Sequence, residues 1–503
     1  MLISKDGKQI MKNIFELGGP VCLQYLLGIF PQMMPNFFLG HVSATSLGAY
    51  SLGNMFINFS GFAVIAGFAS NLDTHLSQAF GAKRYYRYQI VTLRNIIISI
   101  MMAFIVAFVW YFVPEYFFNF VGVDKVVSSE AVIFCRTMII AVCPMFVCEV
   151  FHRYLSNQNI VIFPLLVKIP NIIICFCINY FYTETYGVFA SAISCICSFY
   201  FIFFSFGWYI LWKGTPIVQE RQKISFLNLK KSNILFVGWK EIFRFGLPGI
   251  MMMMMDWGTF EINATFAGRI NDVNLATHAL LAQTCTLCYM VPLGVSIATQ
   301  IIVGQKLGEK KRHLSILAAK IGFLITFVCM LLALSIFYVF RYEYFHLCTN
   351  SKEIIDLGVS VIHMQICFSA LDSVQCALTA ILRGVGKQDV AWKFMMGYPL
   401  IGLPCGYILA FTFGWQLLGV WSGMVVAIFT VDVCLFCLLY TVDWEKEERN
   451  AINRAKEDDN EESLLDDEEE DQYSLIGVET IGQSSGMEGE GEEEDVFFKI
   501  VKK

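Results

Sequence analysis

Charge is scarce in this sequence. Asp, Glu, Lys and Arg make up 16% of 503 residues, and the formal net charge is −6. That scarcity excludes a disordered chain and a nucleic-acid binder, both of which depend on dense charge. With 56% hydrophobic residues it also excludes an ordinary soluble enzyme. No Walker-type phosphate loop occurs, so direct ATP hydrolysis is not expected. The 17 cysteines form no zinc-ligand pattern with a second pair or with histidines. Most lie in apolar runs such as Cys175-Phe-Cys177 and read as small, soft packing residues. No metal, cofactor or enzymatic activity is implied. The polar segment 1–12 precedes a full-length apolar run, without a short signal core and cleavage site. The first span is therefore expected to act as an uncleaved signal anchor.

What the sequence has is long apolar runs. Twelve of them occur, at 17–39, 46–72, 95–113, 131–150, 159–182, 188–212, 245–268, 273–303, 321–340, 357–382, 394–413 and 417–442. Each is near or above the roughly 20 residues that cross a bilayer as a helix. Barrel strands would be half that length and would alternate, so the expected class is an all-α polytopic membrane protein. With alternate connections assigned to opposite sides, 24 Lys and Arg fall on the side of the N-terminus and four on the other. The positive-inside bias then places both termini in the cytoplasm. Segment 443–503 holds 22 acidic and 7 basic residues and reads as a disordered acidic tail. Within it Tyr473, Leu475 and Ile476 fit short sorting signals, which a trafficking adaptor would read.

The chain also repeats itself. Lys12-Asn-Ile-Phe-Glu-Leu-Gly-Gly-Pro20 matches Lys240-Glu-Ile-Phe-Arg-Phe-Gly-Leu-Pro248, and Gln78-Ala-Phe-Gly81 matches Gln305-Lys-Leu-Gly308. Gly187-Val-Phe-Ala-Ser faces Gly419-Val-Trp-Ser-Gly in the same order. The reading is a duplication of six helices. It gives a cytoplasmic N-terminus at 1–16, an N-lobe at 17–212, a linker at 213–241 and a C-lobe at 242–442. An even number of helices per half puts the pseudo-two-fold axis along the membrane normal. Two such lobes suit alternating access to a central site.

Ionisable groups inside spans are the most informative residues, because each costs about 2.5–3.5 kcal/mol or more at a helix centre. The deep acids are Asp256 and Glu261 in the seventh span, Asp372 in the tenth and Asp432 in the twelfth. Glu149 and Asp73 sit nearer the ends of the fourth and second. Asp256 and Glu261, five apart, lie about 140° apart on a helix and cannot face one point unless the helix is irregular or a wide cavity runs beside it. The first two and Asp372, set among polar neighbours in Ser369-Ala-Leu-Asp-Ser-Val-Gln375, read as a proton relay or cation site. Asp432 and Glu149 stand alone and read as structural. Pro31 and Pro35, Pro292, and Pro399 and Pro404 interrupt the first, eighth and eleventh spans. The five methionines 251–255 read as adaptable packing, and the sequons at Asn58 and Asn263 lie within the membrane and should be unused.

Several phrases taken together resemble the multidrug and toxic compound extrusion (MATE) family, particularly its eukaryotic branch. They are Gly19-Pro20; Leu72-Asp-Thr-His-Leu-Ser-Gln-Ala-Phe-Gly-Ala82; Tyr154-Leu-Ser-Asn-Gln-Asn-Ile160; Met255-Asp-Trp-Gly-Thr-Phe-Glu261; Tyr289-Met-Val-Pro-Leu-Gly294; Leu382-Arg-Gly-Val-Gly386; and Gly419-Val-Trp-Ser-Gly423. The resemblance runs over residues 11 to 444. It implies twelve helices in two six-helix lobes, and export of organic cations, xenobiotics or secondary metabolites in exchange for protons, with sodium as the alternative ion. The family's seventh-helix carboxylates fall on Asp256 and Glu261, and its tenth-helix one on Asp372. The eighth-helix carboxylate of animal members is Gln283 here, a departure from the animal-type site. Gln283 and Tyr289 join the expected proton and substrate site, with Asp73, Trp257 and Ser373 in support. The expected partners are a small-molecule substrate, protons and membrane lipid, with the chain a monomer in a plasma or vacuolar/lysosomal membrane. The rival readings are a lipid-linked precursor flippase of the wider superfamily, which would carry a basic cavity, and a receptor or channel.

Overall fold

Inside a bilayer every backbone N–H and C=O must find its partner within the protein, and a helix does this residue by residue. The computed structural model describes residues 4–213, 238–349 and 351–456. Most of the linker, the sorting-signal residues and nearly all of the acidic tail lie outside them. Twelve long helical segments run in order: α1 Lys5–Val42, α2 Thr45–Gly81, α3 Tyr85–Val121, α4 Lys125–Ser156, α5 Ile162–Tyr186, α6 Val188–Trp212, α7 Trp239–Ile270, α8 Asp272–Gly308, α9 Arg312–Val339, α10 Lys352–Val385, α11 Gln388–Thr412 and α12 Gln416–Tyr440. Eleven are both long and apolar enough to cross a membrane. The exception, α7, has 32 residues but carries Asp256 and Glu261.

Several helices outrun the apolar runs that mark them. The 37 residues of α3 or α8 extend about 55 Å at about 1.5 Å per residue, against a hydrocarbon core of about 30 Å. Their polar ends stay helical because caps hold them. Ser4 Oγ accepts from Gly7 N at 3.0 Å, and Asn271 Oδ1 accepts from Asn274 N at 2.8 Å. The prolines of α1 and α8 sit inside continuous helices. Around Pro399 and Pro404, by contrast, α11 widens into π-helical turns at Tyr398–Gly402 and Ile408–Thr412. A further helix, α13 (Trp444–Lys456), occupies the start of the segment read as a disordered tail. It is held by Glu445–Arg449 at 2.7 Å along its own surface, and by a nearly buried Glu447 paired with Lys387 at 2.7 Å.

Each half packs its own apolar core. In the N-lobe the core gathers Tyr50, Trp110, Phe118, Phe134 and Phe146. In the C-lobe it gathers Phe368, Tyr398, Trp421 and Met424. Between the lobes the duplication appears as a set of reciprocal contacts. Gln78 Nε2 donates to the carbonyl of Gly384 at 3.0 Å, and Gln305 Nε2 donates to the carbonyl of Asn157 at 3.0 Å. Residues 78 and 305, and 157 and 384, are duplicates at an offset of 227. At the same offset, Gly67 of α2 lies against Gly249 of α7, and Gly294 of α8 lies against Cys22 of α1. A Cβ at Gly67 would stand 2.6 Å from the Gly249 oxygen, so these helix pairs touch through backbone. Gly304 abuts Ser77, its own duplicate position, which puts the pseudo-two-fold axis there.

These contacts seal one face of the molecule, the face where α1 begins and α2 ends. Thr74 Oγ1 adds a bond to the Arg383 carbonyl at 2.6 Å. From α13, Arg454 Nε reaches Gln78 Oε1 at 3.0 Å, so that helix touches both lobes. Gly308→Val would push a branched side chain into the backbone of Gln78. Such overpacking costs about 1–3 kcal/mol. The expected outcome is a loosened seal, seen as faster thiol labelling of Ser77→Cys by mass spectrometry, with the helical content unchanged.

Within the N-lobe, Arg153 of α4 bonds both carboxylate oxygens of Asp73, at 3.0 and 2.9 Å, and Glu149 at 3.1 Å. Asp73 is 1% exposed. Arg153→Ala would strand that carboxylate, at a cost of about 3–5 kcal/mol. Thermal unfolding in detergent should shift down accordingly. The double variant Asp73→Leu, Arg153→Met should recover most of the loss.

Candidate functional site

The acids predicted from sequence divide by lobe. Asp73 and Glu149 share Arg153, as described, and Glu149 also lies within electrostatic reach of Lys168. Beside them His152 Nε2 bonds Gln24 Oε1 at 2.9 Å, and Gln24 Nε2 reaches the Val161 carbonyl at 2.7 Å. The N-lobe polar groups are thus tied to one another. In the C-lobe the duplicates of Asp73 and Arg153, at the same offset, are Gln300 and Ala380, so the ion pair has no counterpart there.

The C-lobe acids are placed differently. Asp256 of α7 and Asp372 of α10 are half-buried, and each stands without an ion pair among the described residues. Asp372 lies within electrostatic reach of Asp256 and of Asp432 on α12. The three are not close enough to enclose a metal ion between them. Tyr289 of α8 sits within reach of both Asp372 and Asp256, with its hydroxyl beside the Cys376 thiol. Tyr398 of α11 faces the same acids and donates to Gln375 Oε1 at 2.6 Å. Gln375 is one turn beyond Asp372 on α10, so the hydrogen bond ties α11 to the acid-bearing turn. Arg383, at the end of α10, is felt by Asp256 and by Tyr25 of the N-lobe, which sets a fixed positive charge at the sealed end of the site.

Glu261 does not join this group. The helix α7 is regular throughout, so its acids point apart. Counting about 100° per residue from Asp256, Phe260 lies near 40°, Trp257 near 100°, Glu261 near 140° and Gly258 near 200°. Phe260 packs on Phe368 of α10, with ring centroids 5.5 Å apart. Gly258 faces Phe59 of the N-lobe helix α2. Trp257, 39% exposed, and Glu261, exposed, therefore lie on the exposed arc of α7, turned away from Asp256. Phe266, on the other flank, packs on Tyr407 of α11 with centroids at 5.6 Å.

The remaining predicted residues have other surroundings. Gln283 donates to Met33 Sδ of α1 at 3.5 Å, across the lobe seam. Ser373 is buried and its hydroxyl bonds the Ala370 carbonyl of its own helix at 2.7 Å. Of the methionines, Met252 is in the C-lobe core. The sequence reading missed Tyr398, the hydroxyl beside Pro399 in an otherwise apolar run, and Arg383, which sits in a phrase noted for its glycines. It also set Asp432 aside. That residue was detectable as a charge in an apolar span, but its neighbours on other helices were not.

The comparisons agree with this architecture. The MatE family model matches residues 20–183 and 248–408, one block in each lobe. Multidrug and toxin extrusion protein 1 of Danio rerio is 26% identical over 90% of this chain and 76% of its own. Protein DETOXIFICATION 6 of Arabidopsis thaliana is 26% identical over 88% of this chain and 91% of its own. The crystal structure of the eukaryotic MATE transporter AtDTX14 superposes with a TM-score of 0.82 at 22% identity, covering 89% of this chain and 99% of that one. With both lobes matched and the helical body in common, the chain belongs to the MatE family of membrane transporters.

Proposed function

We propose that this transporter is a proton-coupled antiporter that exports organic cations, xenobiotics or secondary metabolites by alternating access. The observation that carries the reading is the contrast between the lobes. The N-lobe acids are ion-paired with Arg153, while Asp256 and Asp372, half-buried and near one another, form no ion pair among the described residues. A carboxylate removed from water is stabilised by a proton or by a bound cation. Proton and organic cation then compete for the same two groups, which is the simplest form of antiport. Exchange of one proton for one monovalent cation moves no net charge, so the roughly 2.3 kcal/mol per charge of a 100 mV potential drops out. Glu261 and Trp257, on the exposed arc of α7, would supply long-range attraction and an aromatic face for an approaching cation. An anionic lipid-linked headgroup would meet the same acids as repulsive groups. The names of the relatives, extrusion of drugs and toxins, support the substrate class.

The Lys and Arg bias assigns the sealed face to the cytoplasm. The half-buried acids then address the opposite side, as expected for the end of the cycle in which cargo has left and protons enter. Uptake of the fluorescent cation ethidium into proteoliposomes under an imposed pH gradient tests the reading. Asp256→Asn and Asp372→Asn are expected to abolish gradient-driven uptake, and Glu261→Gln to raise KM several-fold with coupling intact. Uptake that survives in the first two variants would overturn the assignment. Uptake that ignores pH and follows sodium would replace the coupling ion.

A further inference from the structure

Asp432 of α12 is 5% exposed and is surrounded by apolar neighbours on its own helix, Ile428, Val431 and Leu435, all fully or nearly buried. Both of its carboxylate oxygens are buried, and neither accepts a hydrogen bond among the described residues. A structural buried acid looks different in this same molecule: Asp73, equally buried, has both oxygens bonded to Arg153. An ionised carboxylate without partners in apolar surroundings is unstable and takes up a proton instead. The groups that face it are Asp372 from α10 and Tyr398 from α11, with Asp256 of α7 beyond Asp372. The Tyr398 hydroxyl is already committed to Gln375 and gives Asp432 no bond.

The covering helix carries two π-helical stretches, where α2 and α6 carry one each. Along its length α11 lies close on α12: Gly423 meets the backbone of Gly406 and Gly419 that of Ala410, while Gly402 and Gly397 sit against the Ala427 and Val431 side chains. Its two π-helical stretches border this seam. Such widened turns leave backbone groups less firmly held and recur at functional sites. The carboxyl group is thus shielded by the helix whose hydrogen bonding is least regular.

We propose that Asp432 is a third proton-carrying acid of the transport site, rather than a packing residue. It holds one proton in the conformation described here. When a cation occupies the Asp256 and Asp372 region and α11 shifts, the Asp432 O–H bond breaks. The proton passes to water in the cleft, leaving a carboxylate, and a proton from the opposite side restores the acid when the cation has gone. The inference rests on Asp256 and Asp372 as the coupling pair, and it raises the number of protons exchanged per cation by one.

The test uses the full chain in proteoliposomes, with ethidium as cargo and a trapped pH dye reporting protons moved per cation. Asp432→Asn keeps the size of the side chain and removes the titration. The expected result is one proton fewer per cation, and, at a gradient of about one pH unit, steady-state accumulation lowered about tenfold. Ethidium exchange without a gradient should persist. An infrared carboxylic-acid band should disappear in Asp432→Asn and return, shifted, in Asp432→Glu, with the proton ratio restored. An unchanged ratio and band in Asp432→Asn would overturn the proposal. So would a variant that merely unfolds at lower temperature while its folded fraction keeps the wild-type ratio. If Asp432→Asn does not fold, Asp432→Glu decides the matter through its band and ratio. Intact coupling in Asp256→Asn and Asp372→Asn would instead remove the underlying reading, a result distinct from failure at Asp432 alone.

Discussion

A carboxylate has no comfortable place inside a bilayer unless something neutralises it, and that constraint organises this molecule. Desolvating a charged group costs several kcal/mol, and a bare acid cannot be stranded in a helix bundle without consequence. The N-lobe answers with Arg153, which binds Asp73 and Glu149 at about hydrogen-bond distance and ties α2 to α4. The C-lobe has no such arginine: Gln300 and Ala380 occupy the corresponding positions. Its acids form no ion pair among the described residues, although Asp256 lies within electrostatic reach of Arg383. The two halves share ancestry and packing yet differ in electrostatics. On the proposed function, that difference is where the coupling of the transporter would reside.

The scaffold itself is built on the absence of side chains. Where α2 crosses α7, and where α8 crosses α1, glycine lets backbone meet backbone. Small residues of this kind suit membrane helices, where packing and hydrogen bonds rather than hydrophobic transfer hold helices together. The reciprocal Gln78 and Gln305 bonds close the same face from both sides of the axis. The bonds between the lobes combine side-chain hydrogen bonds worth about 0.5–1.5 kcal/mol each with an ion pair, Arg87 of α3 to Glu241 of α7 at 3.0 Å. Two rigid lobes joined by a modest seam can separate at one face without unfolding. The helix α13 belongs to the same seal, since its Arg454 reaches the N-lobe while its Glu447 is anchored on Lys387.

Much of this was legible in the residues. Twelve apolar runs and their duplication follow from bilayer thickness and from matched phrases at a constant offset. Asp256 and Asp372 announced themselves because charge in an apolar span is costly and rarely accidental. The five-residue spacing of Asp256 and Glu261 already indicated that a regular helix would turn them apart, and α7 is regular. Other residues resisted. The prolines of α1 and α8 bend nothing that secondary-structure boundaries register, while those of α11 coincide with π-helical turns. Ser373, expected in support of the site, bonds the Ala370 carbonyl of its own helix. The 444–456 stretch looked like the start of a solvated tail. Its charges in fact pair along one helical face, while Ala451 and Ala455 are buried.

The sequence by itself determined the class, the number of spans, the duplication and the short list of intramembrane acids. Each of these is a one-dimensional property, set by run length, composition or repeat. The tertiary structure decided which acids are neutralised and which are not, because the partner of a buried charge lies on another helix, far away in sequence. Asp73 and Asp432 are both single acids in their helices. One meets Arg153, 80 residues away, and the other meets Asp372 and Tyr398 and no cation. Their local sequences differ, polar around Asp73 and apolar around Asp432, but neither names a partner; the packing of α2 on α4 and of α12 on α10 and α11 does.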